Sequence, residues 1–93
     1  MKLLLFTLFD ACAEYYHNPV YARTRAEAIR SLVLAVSDPS TQYAQHAEHF
    51  TLFELGTFEP LTAKLELHQA PVHVINAWEL KPQAYVPLKA VAD

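Results

Sequence analysis

The chain has 93 residues, 53% of them hydrophobic, with one glycine, one cysteine and a formal net charge of −3 at neutral pH. A chain of this length makes one domain and buries only about 60 to 65% of the surface its unfolded form exposes, so its core is marginal and a partner surface helps it. This composition is too apolar for disorder and too poor in glycine for a linker or repeat array. The lone Cys12 offers no internal disulfide and suits a reducing cytosol, and net acidity gives no global attraction to nucleic acid or to an anionic membrane.

In chain order, "MKLLLFTLF" has the apolar character of a secretory signal, but Asp10 ends the run and no small-residue cleavage site follows. It reads as a first strand, and no run approaches the eighteen or so apolar residues of a membrane span. Leu3, Leu5, Thr7 and Phe9 alternate with Lys2, Leu4, Phe6 and Leu8, so both faces of this strand are largely apolar and both want cover. "DACAEYYHNP" is a polar turn ending on Asn-Pro, and "VYAR" returns as a short hairpin partner.

Thr24 followed by Glu27 is a capping box, and Ile29, Leu32, Val33 and Val36 recur at helical spacing, predicting an amphipathic helix over residues 25–37 that "SDPS" stops. Leu34 falls on the polar side of that helix. Residues 40–49 read as a loop and "FTLFELGTF" as a strand. "EPLT" turns the chain into a second strand at "AKLELHQ", and Pro71 allows a short helix over "VHVINAWEL". The expected fold is therefore α+β, a small antiparallel sheet with one main helix and a second short one in the order ββαββα, and oligomeric. One domain spans residues 1–82, and residues 83–93 form a proline-containing tail or edge strand, since two prolines rule out a central one.

Enzymatic chemistry finds no support in the residue pattern. The carboxylates are scattered singly, no Ser-His-Asp grouping emerges, and one glycine does not make a phosphate-binding loop. His46 and His49, three apart with Glu48 between them, have the spacing to share one side of a helical turn as metal ligands, but there are only two, without a cysteine or third histidine at ligand spacing, and His68 and His73 around Pro71 are equally unspecific. No metal or cofactor is expected.

Charge is uneven along the chain, with four cations against three acids in residues 1–30 and three lysines against seven acids in the remainder. The three arginines, Arg23, Arg25 and Arg30, lie around the start of the helix, where free backbone N–H groups and the helix dipole favour an anion. Tyr15, Tyr16 and Tyr21 bracket the early hairpin, while Phe50, Phe53 and Phe58 lie on the strand after residue 49. By alternation Phe53 and Leu55 share one face of that strand with Thr51 and Thr57, and Phe50, Leu52, Glu54, Gly56 and Phe58 share the other. One face meets the helix; the second is free for another subunit or for unpaired bases. Gly56 marks a bulge or a close backbone approach.

"FD" at residues 9–10, the "Y…NPVYART…AEAIRS" segment, "AVSDPS" and "HAEHFTLFELGTFE" appear in this order over roughly residues 5–60. Together they resemble the small nonstructural protein of gokushoviruses, microviruses that infect bacteria and carry single-stranded DNA. In that family a glycine-containing turn is common where this chain has "EPLTAK", and proline is common where Ala47 stands. The resemblance implies a nonstructural DNA-binding protein of the host bacterial cytoplasm, acting as replication turns from double-stranded templates to single-stranded genomes. It brings no catalytic residues.

Two functions follow. In the first, Arg23, Arg25, Arg30 and Lys2 contact phosphate while Tyr15, Tyr16 or Tyr21 stack on bases of single-stranded DNA, and homo-oligomerisation multiplies a weak patch. In the second, the chain is an oligomeric accessory factor that docks on phage or host replication or assembly proteins without touching DNA, as net acidity, the two-sided apolar strand and Leu34 would suit. Neither function involves a membrane.

Overall fold

The computed structural model describes residues 1–81. Strands β1 (Leu3–Asp10), β2 (Tyr15–Tyr16) and β3 (Val20–Ala22) precede helix α1 (Arg25–Ser37) and a short helix α2 (Gln42–Gln45). A 3-10 turn at Ala47–His49 leads into β4 (Phe50–Glu59), a hairpin returns as β5 (Lys64–Asn76), and a second 3-10 turn covers Ala77–Leu80. All pairings are antiparallel, in the order β2-β1-β4-β5, with β3 also pairing β1 on the side that β2 occupies.

The fold class is thus α+β with an antiparallel sheet, but the order differs from the expected ββαββα in three places. The early returning segment is two short strands, because Asn18 and Pro19 interrupt the pairing with β1 between Tyr16 and Val20. The expected loop over 40–49 contains α2, capped by Thr41, whose hydroxyl accepts from the Ala44 N–H at 3.2 Å. The expected helix over "VHVINAWEL" is mostly strand: β5 runs through Pro71 to Asn76, and only Ala77–Leu80 turns. Val72, Val74 and Ile75 are β-branched, and Pro71 is tolerated because β5 is an edge strand and is bulged there. The expected tail at 83–93 lies outside the described residues.

Helix α1 starts where its cap dictates. The Thr24 hydroxyl accepts from the Glu27 N–H at 3.0 Å, and the Glu27 carboxylate reaches back to accept from the Arg23 N–H at 2.7 Å. Asp38 ends the helix ahead of Pro39. Its buried stripe, Ala28, Leu32 and Val36, packs with Phe6 of β1 and with Phe50 and Leu52 of β4, joined by Ala47 and Ala77 from the two 3-10 turns. Phe6, Phe50 and Val36 are the largest fully buried side chains, so the core is one layer between helices and sheet. Leu34 stands out of it at 68% exposed, as its place on the polar side predicts.

Three register shifts reshape the sheet, one of them leaving Val74 as an extra residue in β5 between the Leu52–Ile75 and Phe53–His73 pairs. Leu5 pairs with Gly56 but Phe6 pairs with Glu54, leaving Leu55 as an extra residue in β4. The bulge reverses the alternation, so Phe58, opposite Leu3, lies on the face away from the helix and not with Phe50, Leu52 and Glu54. Across the other edge, Gly56 pairs with Leu67 and Glu54 with Val72, so β5 carries four residues, His68–Pro71, where β4 has one. Gly56 is required at this crossing: a Cβ there would lie 2.2 Å from the Glu66 carbonyl oxygen and 2.8 Å from the Leu67 Cα.

Candidate nucleic-acid interface

Alternation along β1 sends Phe6 into the core and therefore Leu3, Leu5, Thr7 and Phe9 to the opposite face of the sheet. Every helical segment contributes to the single core, so among the described residues no helix covers that opposite face. Register brings aromatic rings together on it. Tyr16 of β2 is cross-strand to Phe9, with ring centroids 4.7 Å apart, and reaches Phe53 of β4 at 5.9 Å; Phe53 in turn meets His73 of β5 at 6.0 Å. The result is a row of four rings crossing β2, β1, β4 and β5, at spacings typical of favourable aromatic contact. A second pair, Tyr21 and Phe58, lies at 5.5 Å near the other end of β1. Tyr16 and Tyr21 are about half exposed, at 47% and 56%, and present ring surface to solvent.

Of the tyrosines predicted to stack on bases, Tyr16 and Tyr21 reach this face. Tyr15 does not: as the neighbour of Tyr16 in β2 it points the other way, toward His17 at 5.5 Å, whose ring contacts Tyr43 and Phe50 on the helical side. Phe9 and His73 are members that sequence reasoning did not assign to the site, and it set Phe53 and Phe58 on opposite faces of their strand, only one of which was free for unpaired bases. Alternation identifies Phe9 and Phe53 once the core face of each strand is known. Phe58 needs the bulge at Leu55, and His73 needs β5 to continue past Pro71.

The cations separate into two groups. Arg25 Nη2 donates to Glu54 Oε1 at 2.8 Å, and Lys2 Nζ meets Glu66 Oε1 at 3.3 Å, so both have anionic partners within the fold. Arg23 and Arg30 are exposed and form no ion pair among the described residues. Since α1 packs on the face of the sheet opposite the row of rings, that row and Arg30 lie on different layers, and Arg23, directly after β3, is the arginine next in sequence to Tyr21's strand.

Glu54 is the charged residue the sheet buries, at 9% exposed. Burial pushes its carboxyl upward, but the hydrogen bonds from Arg25 and from His68, whose Nε2 lies 2.8 Å from Oε2, outweigh that and hold it below the usual carboxylate value. His68 reaches it because the His68–Pro71 bulge turns this part of β5 inward. The pair therefore ties the helix N-terminus, the central strand and the edge strand to one carboxylate.

On the helical side, a groove of about 600 Å³ runs between α1 and the edge of β1, floored by Leu8, Ala28, Leu32 and Leu52. The Glu27 carboxylate on its rim opposes an anionic ligand there. No described helix is long and apolar enough to cross a membrane.

A model of the phage ORF5 protein family matches residues 3–80, from the first residue of β1 to the last of the second 3-10 turn. The chain belongs to the phage ORF5 protein family. No curated protein and no solved structure matches it significantly. The family match covers the whole described fold except its extreme ends, so the sheet, its bulges and the aromatic row all lie within the ORF5 region.

Proposed function

We propose that this phage ORF5 protein binds single-stranded DNA across the open face of its sheet, as a nonstructural factor of replication in the bacterial host. The observation that carries the reading is the row Phe9, Tyr16, Phe53 and His73, which offers ring faces on a surface that no described helix covers. Unpaired bases stack on such rings with little regard to sequence, because every base has a π-face. A duplex keeps its bases stacked on each other and gains nothing from the row. Phosphate contacts supplement stacking: Arg23 is exposed without an ion pair among the described residues, and Tyr21 extends the aromatic surface toward it, while Arg30, likewise exposed, stands on the helical layer. With so few cations on an acidic chain, one protomer binds modestly, and several copies along one strand raise the affinity through avidity. The similarity to gokushovirus nonstructural proteins points the same way.

Fluorescence anisotropy of a labelled single-stranded oligonucleotide, with a duplex of the same sequence as control, tests the reading. Tyr16→Ala and Phe53→Ala are each expected to cost roughly 1–3 kcal/mol per base stacked, about 5- to 150-fold in Kd. Tyr15→Ala, on the other face, is expected to leave binding unchanged.

A second reading, an accessory factor that docks on replication or assembly proteins without DNA contact, is favoured by apolar side chains held in solvent. Leu61 is 89% exposed at the tip of the β4–β5 hairpin, Leu65 and Leu67 follow it along the edge strand, and Leu34 stands on α1. Folded protein that retains neither strand type would support this reading over the first.

A further inference from the structure

Three metal-ligating side chains converge at the junction between α2 and β4, outside the aromatic row. His46 closes α2 as its C-cap and opens the 3-10 turn Ala47–His49. Three residues per turn bring side chains i and i+3 onto one side, and the His46 and His49 rings accordingly stand perpendicular with centroids 5.8 Å apart. Glu48 joins them, with Oε2 3.5 Å from His49 Nε2. One ligand atom from each of the three lies within 4.8 Å of the others.

The backbone under this cluster is anchored. Ala47 and Phe50 are buried in the core at 1% and 2% exposed, the His49 N–H donates to the His46 carbonyl at 2.9 Å, and the His49 carbonyl accepts from the Ala11 N–H at 2.8 Å. The other described histidines are engaged elsewhere: His68 with Glu54, His73 with Asn76, and His17 with Tyr43.

We propose that His46, Glu48 and His49 form a binding site for a divalent transition-metal cation, Zn²⁺ foremost. Two imidazoles and one carboxylate suit a borderline cation rather than Ca²⁺ or Mg²⁺, which prefer oxygen alone. A tetrahedral centre with bonds of about 2.0–2.2 Å sets its ligand atoms about 3.3–3.6 Å apart. Side-chain rotation supplies the difference from 4.8 Å, since His46 and Glu48 are exposed and His49 is half-buried. The fourth position faces solvent and takes water or an oxygen of a second molecule. The sequence sets Glu48 between two histidines three apart; the 3-10 turn brings a ligand atom of each together.

Titration calorimetry of the full chain with zinc chloride at neutral pH tests the site, with circular dichroism confirming that each variant is folded. The expected result is one Zn²⁺ per chain, at least about tenfold weaker binding in Glu48→Gln, and loss of binding in the double variant His46→Ala, His49→Ala. Absence of saturable binding to the unaltered chain overturns the proposal, and so does a double variant that still takes one ion. Undiminished affinity in Glu48→Gln overturns the three-ligand assignment.

Discussion

Two residues hold the β4–β5 hairpin in opposite senses. At Gly56 any side chain would be driven into the backbone of Glu66 and Leu67, which has no flexible end to move aside. Gly56→Ala is expected to destabilise the fold by roughly 2 kcal/mol or more, read as a lower urea midpoint, because the strands must part or the bulge must shift. Ala63 is the reverse case. It closes the hairpin with a φ of 62°, the left-handed region that an L side chain occupies at a cost of about 1–2 kcal/mol and that glycine occupies freely. Ala63→Gly is expected to raise stability by roughly 0.5–1 kcal/mol after glycine's greater unfolded entropy is subtracted, again by urea titration.

Among the elements, α1 and β4 meet through the Arg25–Glu54–His68 cluster, and its protonation couples to stability. The Glu54 carboxyl titrates lower in the folded chain than its ordinary 4.5, so the stabilisation it contributes is fully present above that value. It is lost as pH falls from 4.5 through the lower folded value, where the folded state must take up the proton. Glu54→Gln is expected to flatten the dependence of the urea midpoint on pH in that acid window. The helix start gives a second element-scale expectation: Thr24→Ala removes the acceptor for the Glu27 N–H and is expected to cost about 1 kcal/mol, lowering the thermal midpoint.

For the molecule as a whole, stacking and charge predict separable effects on DNA affinity. Each single-strand phosphate contact contributes about 0.7 to the slope of log affinity against log salt. Arg23→Glu is expected to flatten that slope and weaken binding, while Tyr16→Ala weakens binding at every salt concentration and leaves the slope unchanged. Anisotropy titrations at several salt concentrations separate the two. Arg25→Glu is not a clean probe of phosphate contact, because it places a second carboxylate against buried Glu54 and removes the partner that offsets its burial. The two-layer arrangement explains why such a small chain carries an apolar surface beyond its core. Its helices cover one face of the sheet, and among the described residues nothing helical is left for the other.

Local chemistry in the sequence determined much of this protein. The Thr24–Glu27 cap, the α1 stripe, the Asp-Pro stop, strands β1 and β4, the meaning of Gly56 and the exposure of Leu34 all follow from spacing, side-chain type and chirality, which neighbours in the chain decide among themselves. Tertiary structure decided whatever depends on which strand lies beside which. The bulge at Leu55 moved Phe58 across the sheet, the edge position of β5 let a strand run through Pro71, and the bulge at His68–Pro71 delivered a histidine to Glu54. Period-two alternation carries no mark of where an extra residue enters, because a bulge is set by the partner strand. The same reason separates Tyr15 from Tyr16 and assembles Phe9, Tyr16, Phe53 and His73, distant in sequence, into one row: side chains join across a sheet through register, and register is a property of pairs of strands.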